Sequence, residues 1–422
     1  MQKNHDWVIY LPFRIDNHMH LKLKVTLIFF IIAMIMGWLL RYFMIAPFTF
    51  LEYKHLLHAH SHVVLLGWAF NASFLAITMH YDRLRPAGSK KQNILFWVMQ
   101  GTIFLAMVAF LIRGYALFSI LFSTVFLFTT YYWVALSWKQ IKGDRSIGGQ
   151  FILWALLLLV LSSIGPWSLG FIMKFVGRSH PSYPLSIYYY LHFLYNGFIL
   201  FALIGSWFHW MDDKGYSYSA LHARQFLKGM KWAVFPLYAL SAVWLNAGIW
   251  INIAGLLAAL VQLWAGWHLW HLLSGLKWKA IFKNNRIQYF LGVFIVTVFY
   301  IKIFLQFLSG FQWVADRALM TKSYSIVGYI HLVMLGLISI FFLWYFIVQG
   351  WMKYGSRMVR SGLFLFISGV FLSEIMLLGQ GVLIIFSWGH LPDFPGYICA
   401  VSALMPLGII LVFAGQLQKQ AE

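Results

Sequence analysis

The chain has 422 residues, of which 62% are hydrophobic and only 10% are charged, and its formal net charge is +20. Soluble domains carry roughly a quarter charged residues, so this composition excludes an ordinary soluble protein and indicates a membrane protein. The positive charge does not indicate nucleic-acid binding, because the basic residues lie in short loops between apolar stretches. The lone cysteine, Cys399, excludes an internal disulfide and a thiolate metal cluster.

Apolar stretches of roughly 20 residues, the length that crosses a bilayer as a helix, recur along the whole chain. They are continuous rather than alternating, which excludes a transmembrane barrel. We therefore predict an all-α integral membrane protein, with residues 1–422 forming a single polytopic membrane domain of about twelve transmembrane helices. The predicted spans are 25–47, 55–80, 93–112, 115–138, 150–173, 185–210, 231–250, 252–273, 287–308, 323–349, 361–387 and 395–416.

The loops between these spans differ in their positive charge. Loops that follow the second, fourth, sixth, eighth and tenth spans carry three or four Lys and Arg residues each, and the others carry at most two. Because Lys and Arg concentrate in cytoplasmic loops, this alternation places both termini in the cytoplasm. An odd number of spans would break the alternation.

The second span begins with four histidines in "HLLHAHSHVVLLGW", His55 to Trp68. At 100° per residue, His55, His58 and His62 share one helix face, and their spacing allows metal chelation by one helix. Solvation at the membrane surface is an equally simple role for these three. His60 points nearly the opposite way, as a single ligand aimed at a neighbouring helix would.

Two other spans bring histidine to the same depth near the outer face, His192 in the sixth and His331 in the tenth. Ionisable groups inside a span usually mark function. Imidazoles from two facing helices are the arrangement that holds a haem iron within a helical bundle. The chain has no Cys-x-x-Cys-His motif for covalent attachment, so the expected cofactor is at least one non-covalent haem b.

Three segments carry a resemblance to a known family. "HSHVVLLGWAFNASFLAI", from His60, resembles the second helix of the catalytic subunit I of haem–copper oxidases, especially the cbb type, whose low-spin haem ligand is followed eleven positions later by Asn, here Asn71. "GYIHLVMLG" resembles the tenth helix of that family, with His331 at the position of the other low-spin haem ligand. "YLHFLYNGFILF", around His192, is similar to the sixth helix, where a histidine binds copper.

The chain also departs from the family. Tyr329 stands where the family has the proximal histidine of its high-spin haem, and "VFPLYALSAVWLNAG" in the seventh span lacks the adjacent histidine pair that binds copper. Copper needs several imidazoles, so we do not expect it, and the terminal chemistry stays open. The resemblance otherwise implies a bacterial inner-membrane oxidoreductase of respiratory electron transfer, acting on oxygen or, like nitric oxide reductase, on a nitrogen oxide.

The resemblance implies partners as well: membrane lipid, a cytochrome c or quinol electron donor, and other membrane subunits. His60 and His331 are the expected haem ligands, with His62 as the second candidate for the ligand on the second span. Glu374, the clear acidic residue inside a span, is either a neutral buried carboxylic acid or a proton relay. Outer-side cations that can meet haem propionates are Lys54, Arg113, Arg178, Arg317 and Lys322.

Three other functions compete with this one. "HAHSHVVLLG" also resembles the opening motif of a family of haem-binding membrane proteins of the nitrosative-stress response. A di-metal oxygenase would use the pairs His58/His62 and His268/His271, but the topology places these pairs on opposite sides of the membrane. A transporter would need no haem at all.

Overall fold

The computed structural model describes residues 17–84, 89–283 and 285–418. Every regular element within these ranges is a helix. Eleven helices among the described residues are long and apolar enough to cross a membrane, which confirms an all-α protein with many membrane-spanning helices. Numbered along the chain, they are α1 (His18–Tyr42), α2 (Tyr53–Asp82), α3 (Lys90–Arg113), α4 (Leu117–Ile141), α5 (Ile147–Phe175), α6 (Ser182–Asp213), α8 (Ile249–Ser274), α9 (Arg286–Leu308), α10 (Ser325–Val348), α11 (Arg357–Ile385) and α12 (Phe394–Leu417). The shorter helix α7 (Ala220–Val234) lies between α6 and α8.

The prediction of a continuous span over residues 231–250 was wrong. The α-helix α7 ends at Val234, and a 3₁₀ helix follows from Pro236 to Leu245. Pro236 explains the break, because proline has no N–H to donate and its ring clashes with the preceding turn. Asn246 then adopts a left-handed conformation with φ of 51°, and the chain turns into α8. Both α7 and the 3₁₀ helix pack along α8.

Three helices form the interior of the bundle. The apolar windows of α2, α6 and α10 are 83%, 89% and 72% buried inside the protein, whereas those of the other eight candidate spans are 33–56% buried. The helices next to one another in sequence pack around these three, with α1 also packing against α12. The interior helices are therefore the three on which the sequence analysis found intramembrane histidines.

Each interior helix also contains an eight-residue π-helical stretch. These stretches are Val63–Phe70 in α2, His192–Ile199 in α6 and Leu332–Ser339 in α10. The first follows His62 directly, the second begins at His192, and the third follows His331 directly. π-Helical turns are rare and occur frequently at functional sites. The π-helical stretches therefore lie next to the histidines on all three interior helices.

A buried hydrogen bond joins two of these π-helical stretches. Trp68 Nε1 donates to Ser339 Oγ at 2.7 Å, and Ser339 Oγ donates to the backbone oxygen of Met334 at 2.7 Å. The Trp68 side chain is completely buried and its ring stacks on Phe30 of α1 with centroids 3.9 Å apart. This contact fixes α2 against α10 and α1 below the histidines.

Candidate functional site

His60 of α2 is directed at the backbone of α1. Its Nδ1 lies 3.0 Å from the carbonyl oxygen of Ala33, and a Cβ added to Gly37 would lie 2.9 Å from His60 Cε1. Because a carbonyl can only accept, Nδ1 carries the proton and Nε2 of the neutral ring keeps its lone pair. Histidines that bind metals typically donate their other ring N–H to a carbonyl or carboxylate in this way.

His331 of α10 lies on the interior helix that contacts the π-helical stretch of α2, within electrostatic range of His60. The two imidazoles are close enough to interact electrostatically, and the Arg41 guanidinium of α1 acts on both. Both rings are only half-buried, whereas Val63 and Val333 nearby on the same helices are 0% and 1% exposed. No described residue forms a hydrogen bond with the His331 ring. Both imidazoles therefore keep some accessible surface, and each has a ring nitrogen without a hydrogen-bond partner among the described residues.

His62 has different surroundings from His60. Its Nδ1 lies 2.9 Å from the backbone oxygen of His58, its Nε2 accepts a long hydrogen bond of 3.4 Å from the Tyr115 hydroxyl, and its ring lies 4.2 Å from that of Phe110. The two histidines thus face opposite sides of α2, as the 100° rotation per residue predicts. Since both ring nitrogens of His62 are engaged, His60 is the better candidate ligand on this helix.

His192 of α6 supports the end of α7. Its Nε2 donates to the carbonyl oxygen of Val234 at 2.7 Å. Carbonyl groups in the last turn of a helix have no partner within the helix, and the break at Pro236 leaves that of Val234 in this position. The sequence predicted that His192 is similar to a copper ligand. In the structure, its Nε2 is already used in this hydrogen bond to the end of α7.

A lysine lies beside His192 in the interior. Lys302 of α9 is 0% exposed, and its Nζ donates to Gln306 Oε1 at 2.5 Å. The lysine also interacts electrostatically with His192. A charged side chain in a span commonly reaches for the membrane surface, but Lys302 pairs within the protein instead. An ionisable residue inside the predicted span 287–308 was the signal for it in the sequence.

Two further side chains have buried polar atoms without partners. The hydroxyl of Tyr329 and both carboxyl oxygens of Glu374 form no hydrogen bond with the described residues. Tyr329 lies two residues before His331 and thus about 200° round α10, where it interacts with Tyr195 of α6. Glu374 of α11 is 6% exposed and interacts with Arg41 over a longer range. Buried polar groups are normally hydrogen-bonded, so each of these two side chains is a candidate for a functional role.

Arg41 is the residue near the two imidazoles that the sequence analysis missed. The predicted first span, 25–47, placed it inside the membrane, whereas α1 ends at Tyr42 and Arg41 occupies its last turn. The arginine interacts with His60, His331 and Glu374, and it is half-buried. An arginine within an apolar span was the signal that could have revealed it.

The other histidine pair lies elsewhere. His268 Nδ1 of α8 is 2.9 Å from His222 Nδ1 of α7, and the His222 and His271 rings stack with centroids 5.2 Å apart. Over the described ranges, no group of three or more His, Cys, Asp or Glu side chains is arranged to hold a metal ion. A haem iron needs only two axial imidazoles, which the pair His60 and His331 can supply.

Comparisons with known proteins give no family for this chain. A scan against protein families finds no match, and a search of curated proteins finds no similar protein.

Proposed function

We propose that this protein is a divergent relative of haem–copper oxidase subunit I that binds haem b between α2 and α10, with His60 and His331 as axial ligands. The observation that carries the proposal is the electrostatic proximity of these two imidazoles, on two interior helices that the Trp68–Ser339 hydrogen bond joins. The Ala33 carbonyl supports it further, because its hydrogen bond leaves His60 Nε2 free to bind iron. When bound, the haem supplies reversible one-electron chemistry.

The surrounding residues have separate tasks in this proposal. Ala33 orients the His60 ring through its backbone oxygen, and Arg41 offers a positive charge to the propionates of a haem near both imidazoles. Trp68 and Ser339 hold α2 and α10 at a fixed separation through their hydrogen bond. The apolar walls of the three interior helices keep bulk water away from the site.

The proposed reaction is respiratory electron transfer to oxygen or a nitrogen oxide, without copper. His192 Nε2 is engaged by Val234, and the segment 234–248 contains no histidine, so this part of the chain offers His192 no second imidazole for copper. Glu374 is proposed as a proton relay because its carboxyl group is buried, unpaired and within electrostatic range of Arg41. A haem protein of the nitrosative-stress response without oxidase activity is the alternative.

Of the two expected electron donors, we propose a quinol rather than a cytochrome c. An apolar groove of 790 Å³ lies between α9, α10 and α11, and its walls include Glu374 and Leu332. Leu332 is bonded directly to His331 in the chain, so a lipid-soluble donor in this groove would lie close to the proposed haem. The groove also has the size of small-molecule sites, roughly 300–1,000 Å³.

The decisive experiment is a reduced-minus-oxidised absorption spectrum of protein purified from cells with an ample haem supply. We expect a low-spin b-type spectrum and a haem that acid-acetone extracts, because the chain lacks a covalent attachment motif. Colourless protein would contradict the proposal and favour a haem-free transporter. Metal analysis is expected to find less than stoichiometric copper, and one tightly bound copper per chain would restore ordinary oxidase chemistry.

Substitution of the proposed ligands gives a sharper result. We expect His60→Ala and His331→Ala each to lose the low-spin spectrum, because the iron loses one strong imidazole ligand. His58→Ala is the matched control: its ring packs against Tyr115 on the other face of α2 with centroids 4.6 Å apart, and the spectrum should not change. Loss of the low-spin haem in the His58 variant, with retention in the His60 variant, would show that the other face of α2 binds haem.

A further inference from the structure

A cavity of 710 Å³ lies where the start of α5, the end of α6 and one face of α7 meet. Four cationic side chains line it. Arg224, Lys228 and Lys231 come from α7, and their spacing of four and three residues places them on one face of that helix. Arg145 comes from the loop before α5, where Gln150 Nε2 donates to its backbone oxygen at 3.0 Å. Two separate elements thus direct positive charge into one cavity.

The charge in this cavity is not balanced by the protein. Among the described residues of the lining, Asp212 is the only acidic one, which leaves an excess of three positive charges. Its Oδ1 accepts a hydrogen bond of 2.8 Å from the Tyr218 hydroxyl. Within the described ranges, no carboxylate forms an ion pair with any of the four cations. Like charges held together repel, so a bound anion would stabilise this arrangement.

The cavity lies at the level expected for phospholipid headgroups. Lys231 Nζ lies over the ring of Trp154, 4.6 Å from its centroid, in a cation–π contact. The neighbouring Trp232 is 67% exposed. Tryptophan is enriched at the boundary between membrane and water. Ile147 and Leu227 add apolar surface to the wall of the cavity. The lining therefore combines cations, which can bind a phosphate, with apolar side chains, which can contact the first part of the acyl chains.

We propose that this cavity binds the headgroup of an anionic phospholipid with two phosphates, a cardiolipin. Two phosphodiesters neutralise most of the excess charge, whereas a single phosphate leaves two positive charges unbalanced. Basic pockets between transmembrane helices are known to take such headgroups. The preference of Lys and Arg for cytoplasmic loops does not account for the cavity, because that preference does not require cations from two elements to converge. The proposal does not depend on haem.

The test is native mass spectrometry of the purified full-length protein after reconstitution in phosphatidylcholine nanodiscs with either cardiolipin or phosphatidylglycerol. We expect the wild-type protein to retain one cardiolipin more strongly than phosphatidylglycerol. The double variant Arg224→Gln/Lys228→Gln should bind cardiolipin about 30-fold more weakly, because it removes two cations near the membrane surface. Lys277→Gln/Lys279→Gln is the matched control, since both lysines are exposed in another loop, and its affinity should equal that of the wild type.

Three outcomes would overturn the proposal. Equal cardiolipin retention by the Arg224/Lys228 variant and the wild type would show that the cavity is not the site. Equal retention of phosphatidylglycerol and cardiolipin would rule out a two-phosphate headgroup. Binding of inorganic pyrophosphate to delipidated protein as tightly as cardiolipin would identify a site for a soluble anion. If the double variant is not monodisperse, the single variant Arg145→Gln replaces it and should weaken cardiolipin binding several-fold.

Discussion

His60 and His62 are two residues apart on α2, and their rings form hydrogen bonds with different parts of the protein. His60 donates to Ala33 of α1 and keeps Nε2 free, whereas both nitrogens of His62 are engaged by His58 and Tyr115. The difference in hydrogen bonding therefore determines which imidazole is available to iron. Helical rotation alone separates the two faces but gives no reason to prefer one of them.

A substitution of His62 tests this distinction. We expect His62→Ala to keep the low-spin haem spectrum and the haem content of the wild type, because the ring faces Phe110 and Tyr115 rather than His331. The measurement is the reduced-minus-oxidised spectrum with a pyridine haemochrome assay. A high-spin spectrum for His62→Ala together with an unchanged low-spin spectrum for His60→Ala would show that His62, not His60, binds the iron.

At the same scale, Asp144 links the α4–α5 loop to α2. Burial raises the pKa of the Asp144 carboxyl, but hydrogen bonds from Ser146 and Tyr81 and the charge of His209 outweigh burial, so the pKa lies below its ordinary value of 3.8. Ser146 N donates to Oδ1 at 2.8 Å and Tyr81 OH to Oδ2 at 2.7 Å. A lowered folded-state pKa means that the ionised group stabilises the fold above the unfolded value, and that this contribution is lost as pH falls through the folded value.

We therefore expect Asp144→Asn to destabilise the detergent-solubilised protein by about 1.5–3 kcal/mol at neutral pH, the range for hydrogen bonds to a charged group. The difference from the wild type should shrink as the pH falls below 3.8, because the wild-type carboxyl then also loses its charge. Thermal unfolding from neutral to acidic pH measures this difference. Glu52→Gln, at an exposed site, is the control and should have little effect at any pH. A pH-independent difference for Asp144→Asn would contradict the assignment.

Among the helices, the close approach of α1 to α2 holds the proposed ligand in place. Gly37 leaves room for the His60 ring, since a Cβ there would lie 2.9 Å from Cε1. We expect Gly37→Ala to displace the ring from Ala33 and to reduce haem occupancy several-fold, as measured by the haem-to-protein ratio. Gly101→Ala on α3 is the matched control, because nothing lies within 4 Å of its added Cβ. Equal haem content in the two variants would show that α1 does not position His60.

The Trp68–Ser339 hydrogen bond couples two interior helices through their π-helical stretches. We expect Ser339→Ala to destabilise the protein by about 1–3 kcal/mol, because the buried indole N–H of Trp68 then lacks its acceptor. The measurement is thermal unfolding in detergent. Ser123→Ala is the comparison: its buried hydroxyl has no partner in the described ranges, so its removal should cost much less. Equal losses in both variants would show that the coupling contributes little.

At the scale of the whole molecule, the broken segment 220–245 decides the topology. The eleven long helices alone would place the two termini on opposite sides of the membrane. We predict that α7 and the 3₁₀ helix Pro236–Leu245 together make a twelfth crossing, because they run alongside α8 and restore the alternation of loop charge. Both termini would then lie on the cytoplasmic side, as the loop charges predict.

Reporter fusions at the two termini test this topology. A reporter active only in the cytoplasm should be active at both ends, and one active only in the periplasm should be inactive at both. A C-terminal fusion that is active in the periplasm, with a cytoplasmic N-terminus, would show that segment 220–245 does not cross. Fusions at Gly215 and Gly248, which flank the segment, should then report the same side rather than opposite sides.

The sequence alone determined the helical membrane class and the opposite orientations of His60 and His62, because hydropathy and the 100° rotation are local properties of a helix. It also contained Pro236, although an apolar run obscured the break that this residue causes. Only the tertiary structure decided that α2, α6 and α10 are interior, that Arg41 joins His60 and His331, and that Arg145 meets the cations of α7. These relations join residues far apart in the chain, and they arise from packing between helices whose apolar surfaces all look alike in sequence.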